Sequence, residues 1–216
     1  MKKIIITLFA SLFFVSLASA ELGVNIGVSG TAAVVQATGS EAEGSDIDKE
    51  DVVATAGWAS IFIEKSFGDR FAIGVDYVPD ALPTETSDTV VSDKTTTDTS
   101  TKKTNTVKLE FSDLTTYYAT LRLTQGLYAK VGMMSMDIET KENLATGSEY
   151  GNTDTDGTLV GLGYNHTADN GFFVRVEGNY MQFEAASLTS TTNADNTAKI
   201  SDLNGLSGKI SIGKSF

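Results

Sequence analysis

Residues 206–216, at the end of the chain, read LSGKISIGKSF and alternate between two kinds of side chain. Leu206, Ile210, Ile212 and Phe216 share one parity, while small or charged residues occupy the other. A period of two predicts a β-strand with one apolar face. An ordinary soluble domain gains little from an aromatic ring at its terminus, because terminal residues are usually frayed and solvated. The rest of the chain must therefore explain why an apolar strand ends in phenylalanine at the terminus.

The same alternation recurs along the sequence, and no segment keeps the apolar spacing of an amphipathic helix over several turns. Apolar rows backed by small, polar or charged rows predict eight strands. Their expected bounds are 22–38, 51–66, 70–79, 105–123, 127–140, 156–167, 172–186 and 201–216.

The connections between these strands alternate in length. Three short ones contain glycine, asparagine or aspartate, which suit tight hairpin turns, near residues 68–69, 125–126 and 169–171. Four long ones are polar, at residues 39–50, 81–104, 141–155 and 187–199. An even strand number with this alternation is typical of an all-β, antiparallel up-and-down transmembrane barrel, whose closure pairs every backbone group in lipid. A soluble β-sandwich is the alternative, but it has no reason to sort its loops by length.

The first twenty residues have the pattern of an export signal. Lys2 and Lys3 precede an apolar run, and Ala18-Ser19-Ala20 supplies a small-residue cleavage site. The run is too short for a permanent membrane helix, which needs about 20 apolar residues. We therefore expect residues 1–20 to be a cleaved signal peptide and residues 21–216 to form the barrel domain.

Composition narrows the possible partners and the source of stability. The formal charge is -12, and loss of the two leader lysines takes it to -14, which argues against nucleic acid as a partner. The chain has no cysteine, so an exported protein of this sequence is not stabilised by disulfides.

This pattern of strands and loops resembles the eight-stranded outer-membrane barrels of the OmpA transmembrane-domain and OmpX type. The most specific part of the resemblance is the last strand, which is similar to the C-terminal signal that the assembly machinery of that family recognises. The resemblance implies that Leu206, Ile210, Ile212 and Phe216 form an assembly signal. It also implies a place in the outer membrane of a Gram-negative bacterium, in contact with lipid and lipopolysaccharide. Lys214 departs from the apolar row, but a lysine near the interface can snorkel.

Turn length sets the register of the strands. If residues 124–126 form a three-residue turn, Leu121 lies opposite Ala129 outside and Thr120 lies opposite Lys130 inside. A two-residue turn sets Leu121 against Lys130 and places that lysine in lipid, at a cost of about 2 to 4 kcal/mol at mid-membrane. The three-residue turn is therefore predicted.

The same argument at residues 67–69 predicts Ile63 opposite Ile73 outside and Phe62 opposite Gly74 inside. Large interior side chains are then expected to face small ones. Trp58 falls on the inward parity near the outer rim, whereas the aromatic girdles of barrels favour lipid, so its direction stays open.

The inward parity collects charged residues from six strands. This interior charge network comprises Glu64, Asp76, Arg122, Lys130, Arg175, Glu177 and Lys209. An eight-stranded barrel is just wide enough for side chains to fill, so we expect these charges to pair into a plug. A narrow polar pathway is the alternative.

The candidates for chemistry are few. His166, the only histidine, shares parity with outward residues beside the third short turn, where nothing supplies the serine and acid that a hydrolase needs. The stretch NTDTDG at residues 152–157 resembles the start of a calcium loop, but its twelfth position is Gly163, where a bidentate glutamate is required. Asp154 and Asp156 are therefore only weak metal candidates. We predict no cofactor and no metal.

The loops invite a surface role. Residues 84–104 are rich in threonine, serine, aspartate and lysine and have too little apolar surface to fold alone. They are either a solvated loop or a segment that binds an extracellular ligand. By resemblance, the expected function is non-enzymatic, structural or adhesive. The alternatives are a small porin or transport barrel for small or hydrophobic solutes and, third, a lipid-modifying enzyme.

Overall fold

A computed structural model describes residues 23–43, 46–83, 87–93, 101–144, 150–192 and 196–216. The predicted signal peptide, residues 1–20, lies outside these residues. The described residues form eleven strands: β1 Val24–Glu43, β2 Asp46–Phe67, β3 Phe71–Tyr77, β4 Leu82–Pro83, β5 Ser87–Asp93, β6 Thr101–Arg122, β7 Leu127–Leu144, β8 Thr153–Thr167, β9 Phe172–Phe183, β10 Ala186–Thr189 and β11 Asn196–Ser215. Within the ranges given, no helix is long and apolar enough to cross a membrane.

Eight of these strands close into a ring. The antiparallel order is β1-β2-β3-β6-β7-β8-β9-β11, and β11 pairs again with β1. At the seam, Val24 and Phe216 exchange backbone hydrogen bonds of 3.2 and 2.9 Å. The short strands β4 and β5 pair with β6 beyond the end of β3, and β10 pairs with β11 beyond β9. The predicted eight-stranded up-and-down barrel is confirmed.

The two ends of the barrel differ in their connections. The turn end carries three short connections, at residues 68–70, 123–126 and 168–171, and the seam between Val24 and Phe216. Each short connection contains a glycine with positive φ, a conformation that L-residues avoid. The opposite end is called the loop end.

Several strands run further toward the loop end than the sequence predicted. The expected loop at residues 39–50 is mostly a paired hairpin, with Gly39 opposite Glu50 and Glu43 opposite Asp46. The predicted loop at 81–104 likewise contains β5 and the start of β6. Alternation predicts a strand only when apolar and polar residues take turns, and residues 39–50 are almost all polar or small, so the sequence pattern could not show that they pair.

The register is right at one predicted turn and wrong at the other. Leu121 lies opposite Ala129 and Thr120 opposite Lys130, as expected. Between β2 and β3, however, Phe62 lies opposite Asp76, not Gly74, because the turn occupies residues 68–70. The error is two residues, which leaves every side chain on its predicted face, so polarity alone could not detect it.

The outer surface changes polarity along the strands. Toward the turn end it carries an apolar band that includes Val28, Ile61, Val131, Val160, Leu162, Val176, Ile210 and Ile212, all well exposed. Toward the loop end the same parity continues in polar residues, for example from Val160 to Thr158 and Asp156. We call the two parts of the barrel the turn half and the loop half.

The interior of the loop half is apolar. An apolar plug fills it, consisting of Ala33, Val78, Leu114, Met134, Met136, Leu159, Met181 and Leu203. The sequence left the direction of Trp58 undecided. Its side chain packs against the apolar plug and therefore points inward. Two β-bulges border the plug, at Asp113 and Asp202, which adopt positive φ values of 53° and 52°. Each bulge changes the parity of its strand, which lets Phe111 and Ile200 also reach the plug.

Candidate functional site

The interior of the turn half holds three ion pairs. In the first, Arg175 on β9 donates two hydrogen bonds across the barrel to the carboxylate of Glu64 on β2, at 2.8 and 2.7 Å. Both side chains are buried, with relative exposures of 9% and 2%. The fork of the guanidinium matches the two carboxylate oxygens, which is the strongest geometry for such a pair.

The remaining hydrogen-bonding capacity of this pair is largely used. Asn25 donates from Nδ2 to Glu64 Oε1 at 2.7 Å, and the Arg175 Nε–H donates to Asn165 Oδ1 at 3.2 Å. The guanidinium also lies over the ring of Phe173, 4.6 Å from its centroid. A buried pair is stable only when its spare donors and acceptors are satisfied, and these contacts meet that condition.

The second ion pair is formed by Lys130 on β7 and Glu177 on β9. Lys130 on β7 donates to Glu177 Oε2 at 2.9 Å, and Tyr128 donates its hydroxyl proton to Oε1 of the same carboxylate at 2.6 Å. The Lys130 ammonium lies 4.2 Å from the centre of the Tyr118 ring. This carboxylate therefore has a charged and a neutral donor, one on each oxygen.

The third pair is formed by Lys209 on β11 and Asp76 on β3. Lys209 also contacts the Ser60 hydroxyl, at 3.4 Å. The three pairs together contain three cations and three anions, so their formal charges cancel inside the turn half.

Aromatic rings fill the space beside glycines in the same region. A methyl group on Gly74 would lie 2.4 Å from Cζ of Tyr118, and one on Gly163 would lie 2.4 Å from Cζ of Tyr128. Contacts that short do not occur, so the two tyrosines occupy the volume that a side chain would need. The expected large-against-small filling is present, with partners set by the actual register.

Arg122 is the exception among the seven predicted interior charges. It lies on the interior row but is exposed at the rim of the turn end, and none of the ion pairs among the described side chains includes it. The structure therefore places Arg122 outside the three ion pairs. Arg122 is the last residue of β6, where the interior opens to water, so its charge needs no buried partner.

Two cavities lie on either side of the ion pairs. The first, which we call the vestibule, has a volume of about 110 Å³ and opens at the turn end. It is lined by Asn25, Glu64, Arg70, Arg122, Tyr128 and Arg175, among others. The second, of about 20 Å³, lies between the other two ion pairs and the apolar plug. The unpaired polar atoms Thr31 Oγ1 and Asn179 Oδ1 belong to residues that line it. Its size suits about one water molecule.

The remaining predicted sites do not come together into a reactive centre. The side chain of His166 is exposed on the outer face and makes no hydrogen bond or ion pair with any other described residue. Asp154 lies opposite Asp137, and Asp156 opposite Ser135. The described ranges contain no cluster of three or more metal-ligating side chains. Part of the predicted binding loop, residues 84–86 and 94–100, lies outside those ranges.

The residues of the predicted assembly signal share the outer surface. Leu206, Ile210 and Ile212 point outward on β11 and are exposed. The ring of Phe216 is also exposed, at the turn end, with the Lys214 ammonium 5.3 Å from its centre. The lysine that interrupts the apolar row therefore lies at the edge of the band, against an aromatic ring.

Sequence reasoning missed the polar partners and the apolar plug. Tyr128, Asn25 and Asn165 form hydrogen bonds with the buried charged groups, and all three lie on interior rows. The plug had a visible signal: Met134, Met136 and Ile138 share the parity of Lys130 on β7, so the interior row turns apolar along one strand.

Comparison with known proteins identifies the fold. No protein-family model and no curated protein matches the sequence. Among solved structures, the outer membrane protein OprG from Pseudomonas aeruginosa matches with 12% identity and a TM-score of 0.54, over 90% of this chain and 97% of that one. The outer membrane protease OmpT from Escherichia coli matches with 11% identity and a TM-score of 0.53, over 94% and 99%. Ail of Yersinia pestis matches at 10% identity, over 88% and 99%, with a TM-score of 0.40. The structural similarity to OprG and OmpT shows a common fold, that of outer-membrane β-barrels. At these low sequence identities it does not show a common activity.

Proposed function

We propose that this chain is a non-enzymatic outer-membrane β-barrel with a structural or surface-adhesion role. In this proposal the apolar band of the turn half faces lipid and the turn end faces the periplasm. The loop half then stands outside the cell, in contact with lipopolysaccharide at its base and open to an extracellular ligand at its tip. The fold supports the location, since the matched proteins with this architecture are outer-membrane proteins.

The filled interior carries the proposal. Three neutral ion pairs occupy the turn half, and the apolar plug occupies the loop half. The cavity between these layers, of about 20 Å³, has room for about one water molecule. A hydrated ion needs a continuous polar path, which an apolar layer interrupts. This arrangement favours a sealed barrel over a porin.

Single-channel conductance in a planar bilayer tests the sealed interior. We expect no discrete openings from the refolded protein or from a Lys209→Ala variant, with heat-dependent gel mobility as the check that both are folded. Steady openings in the wild-type protein, with a conductance altered by the lysine substitution, would overturn the proposal and favour the transport alternative.

The non-enzymatic assignment rests on the surroundings of His166. Its side chain is exposed and has no serine or acid partner among the described residues, whereas general-base catalysis requires both an oriented histidine and a nucleophile in reach. If a lipid-editing activity were detected in membranes carrying this protein and were lost in a His166→Ala variant, the assignment would be wrong.

We further propose that the barrel-assembly machinery recognises β11 through its outward apolar row, Leu206, Ile210, Ile212 and Phe216. All four side chains are exposed on one surface, so a partner can reach them together. Deletion of Phe216 is expected to reduce the amount of folded protein in the outer membrane, measured by heat-dependent mobility of membrane fractions. Ser215→Ala is the control and should assemble normally. Unchanged assembly after the deletion would exclude the role given to Phe216.

A further inference from the structure

The vestibule at the turn end has a distinctive charge. Arg70 and Arg122 both line it, and their backbones are joined by a hydrogen bond of 2.7 Å from the Arg122 N–H to the Arg70 carbonyl. Neither guanidinium has a hydrogen bond or an ion pair with any described side chain. Both arginines therefore line one open cavity, and no described side chain neutralises either charge.

The acids that line the vestibule do not cancel this charge. Glu64 already accepts three hydrogen bonds, two from Arg175 and one from Asn25, and Arg175 compensates its charge. Asp69 is the other carboxylate of the lining and is exposed at the turn. The vestibule therefore carries a net positive charge, in a chain whose formal charge is -12.

We propose that the vestibule binds a small oxyanion, of the phosphate or carboxylate class, between the guanidinium groups of Arg70 and Arg122. Arginine forks bind such groups through paired, charge-assisted hydrogen bonds. A cavity of about 110 Å³ has room for the anion and several waters. The buried pair of Arg175 and Glu64 lines the inner side of the same cavity. This inference goes beyond the proposed structural role and does not depend on it.

A phosphate group at this mouth has two possible sources, a free anion or the headgroup of a neighbouring lipid. The experiment separates them with two probes. Inorganic phosphate is titrated by calorimetry into the refolded protein in zwitterionic micelles. In a second series the micelles contain increasing amounts of phosphatidylglycerol, and backbone amide shifts of Arg70 and Arg122 are followed by NMR.

We expect saturable binding of at least one probe. The double variant Arg70→Gln/Arg122→Gln should lower the affinity at least about tenfold, because it removes charge-assisted hydrogen bonds. The matched control is Lys199→Gln, which removes an exposed cation at the loop end and should leave binding unchanged. Should the glutamine variant fail to fold, Arg70→Lys/Arg122→Lys keeps both charges, removes the fork and should still weaken binding.

Each result decides the proposal. Phosphate binding that depends on the arginines supports a site for a free anion. Shifts that appear only with phosphatidylglycerol, and vanish in the glutamine variant, support the same site with a lipid headgroup as its source. Failure of both probes to give a saturable response, or equal responses from wild type and arginine variants, overturns the proposal.

Discussion

The turn half and the loop half of the barrel are built from the same strands but carry opposite polarity. In the turn half, exposed apolar side chains cover the outside and three ion pairs occupy the inside. In the loop half, polar residues such as Thr158 and Asp156 lie outside, and the apolar plug lies inside. One continuous sheet thus behaves as a membrane protein along one part and as a water-soluble barrel along the other.

The difference teaches that alternation alone does not identify the medium around a strand. On β8 the outward row passes from Leu162 and Val160, with exposures of 58% and 51%, to Thr158 within two residues. The polarity therefore changes where a strand leaves lipid for water, and the change marks the depth of the barrel in the membrane.

The largest effect is expected from breaking a buried pair in the turn half. Arg175→Ala leaves Glu64 as an uncompensated buried charge, and such a change costs about 3 to 5 kcal/mol in the free energy of unfolding. The measurement is urea unfolding of the barrel refolded in lipid vesicles. Arg122→Ala, on the same interior row but exposed, is the control and should change the stability by less than about 0.5 kcal/mol. Similar losses from both variants would contradict the distinction between paired interior and open mouth.

A pair of arginine substitutions on β8 tests where the outer surface changes medium. Leu162→Arg places a cation in the apolar band and should destabilise the refolded barrel by about 2 to 4 kcal/mol if this position lies near the bilayer midplane. Thr158→Arg, four residues along the same outward row, should cost no more than about 1 kcal/mol. Urea unfolding in vesicles measures both. Equal losses would mean that the apolar band continues past Thr158.

The smallest effect concerns Trp58, the only tryptophan in the chain. Because it packs against the apolar plug inside the barrel, lipids with brominated acyl chains should quench its fluorescence only slightly. The control is Val131→Trp in a Trp58→Phe background, which places the indole in the outward band, where strong quenching is expected. Strong quenching of Trp58 itself would mean that this side chain faces lipid.

Much of the fold could be predicted because side-chain parity records which face of a strand meets which medium. That information placed Lys130 and Glu64 inside and Leu121 outside. Parity repeats every two residues, so it could not reveal the shift of two residues at the turn before Phe71.

The candidate site was less predictable, because its contacts cross the interior. Arg175 and Glu64 lie on β9 and β2, strands that are not neighbours, and only the closed barrel brings them together. Parity alone predicted that six of the charged side chains point into the barrel, but it could not predict which of them pair. Arg122 shows the converse: its parity is inward, but its place at the end of β6 leaves it in water.

In the orientation proposed above, the length of β1 determines how far the protein extends beyond the membrane. At about 3.3 Å per residue and a tilt near 45°, its 20 residues rise about 47 Å, whereas the apolar band of such barrels is about 25 Å tall. Since β1 starts at the turn end, the excess of about 20 Å stands entirely on the opposite side. In that orientation, a molecule that approaches the loop end meets the paired strands β1 and β2 well before the lipid, so its first contact is with hydrated protein and not with the bilayer.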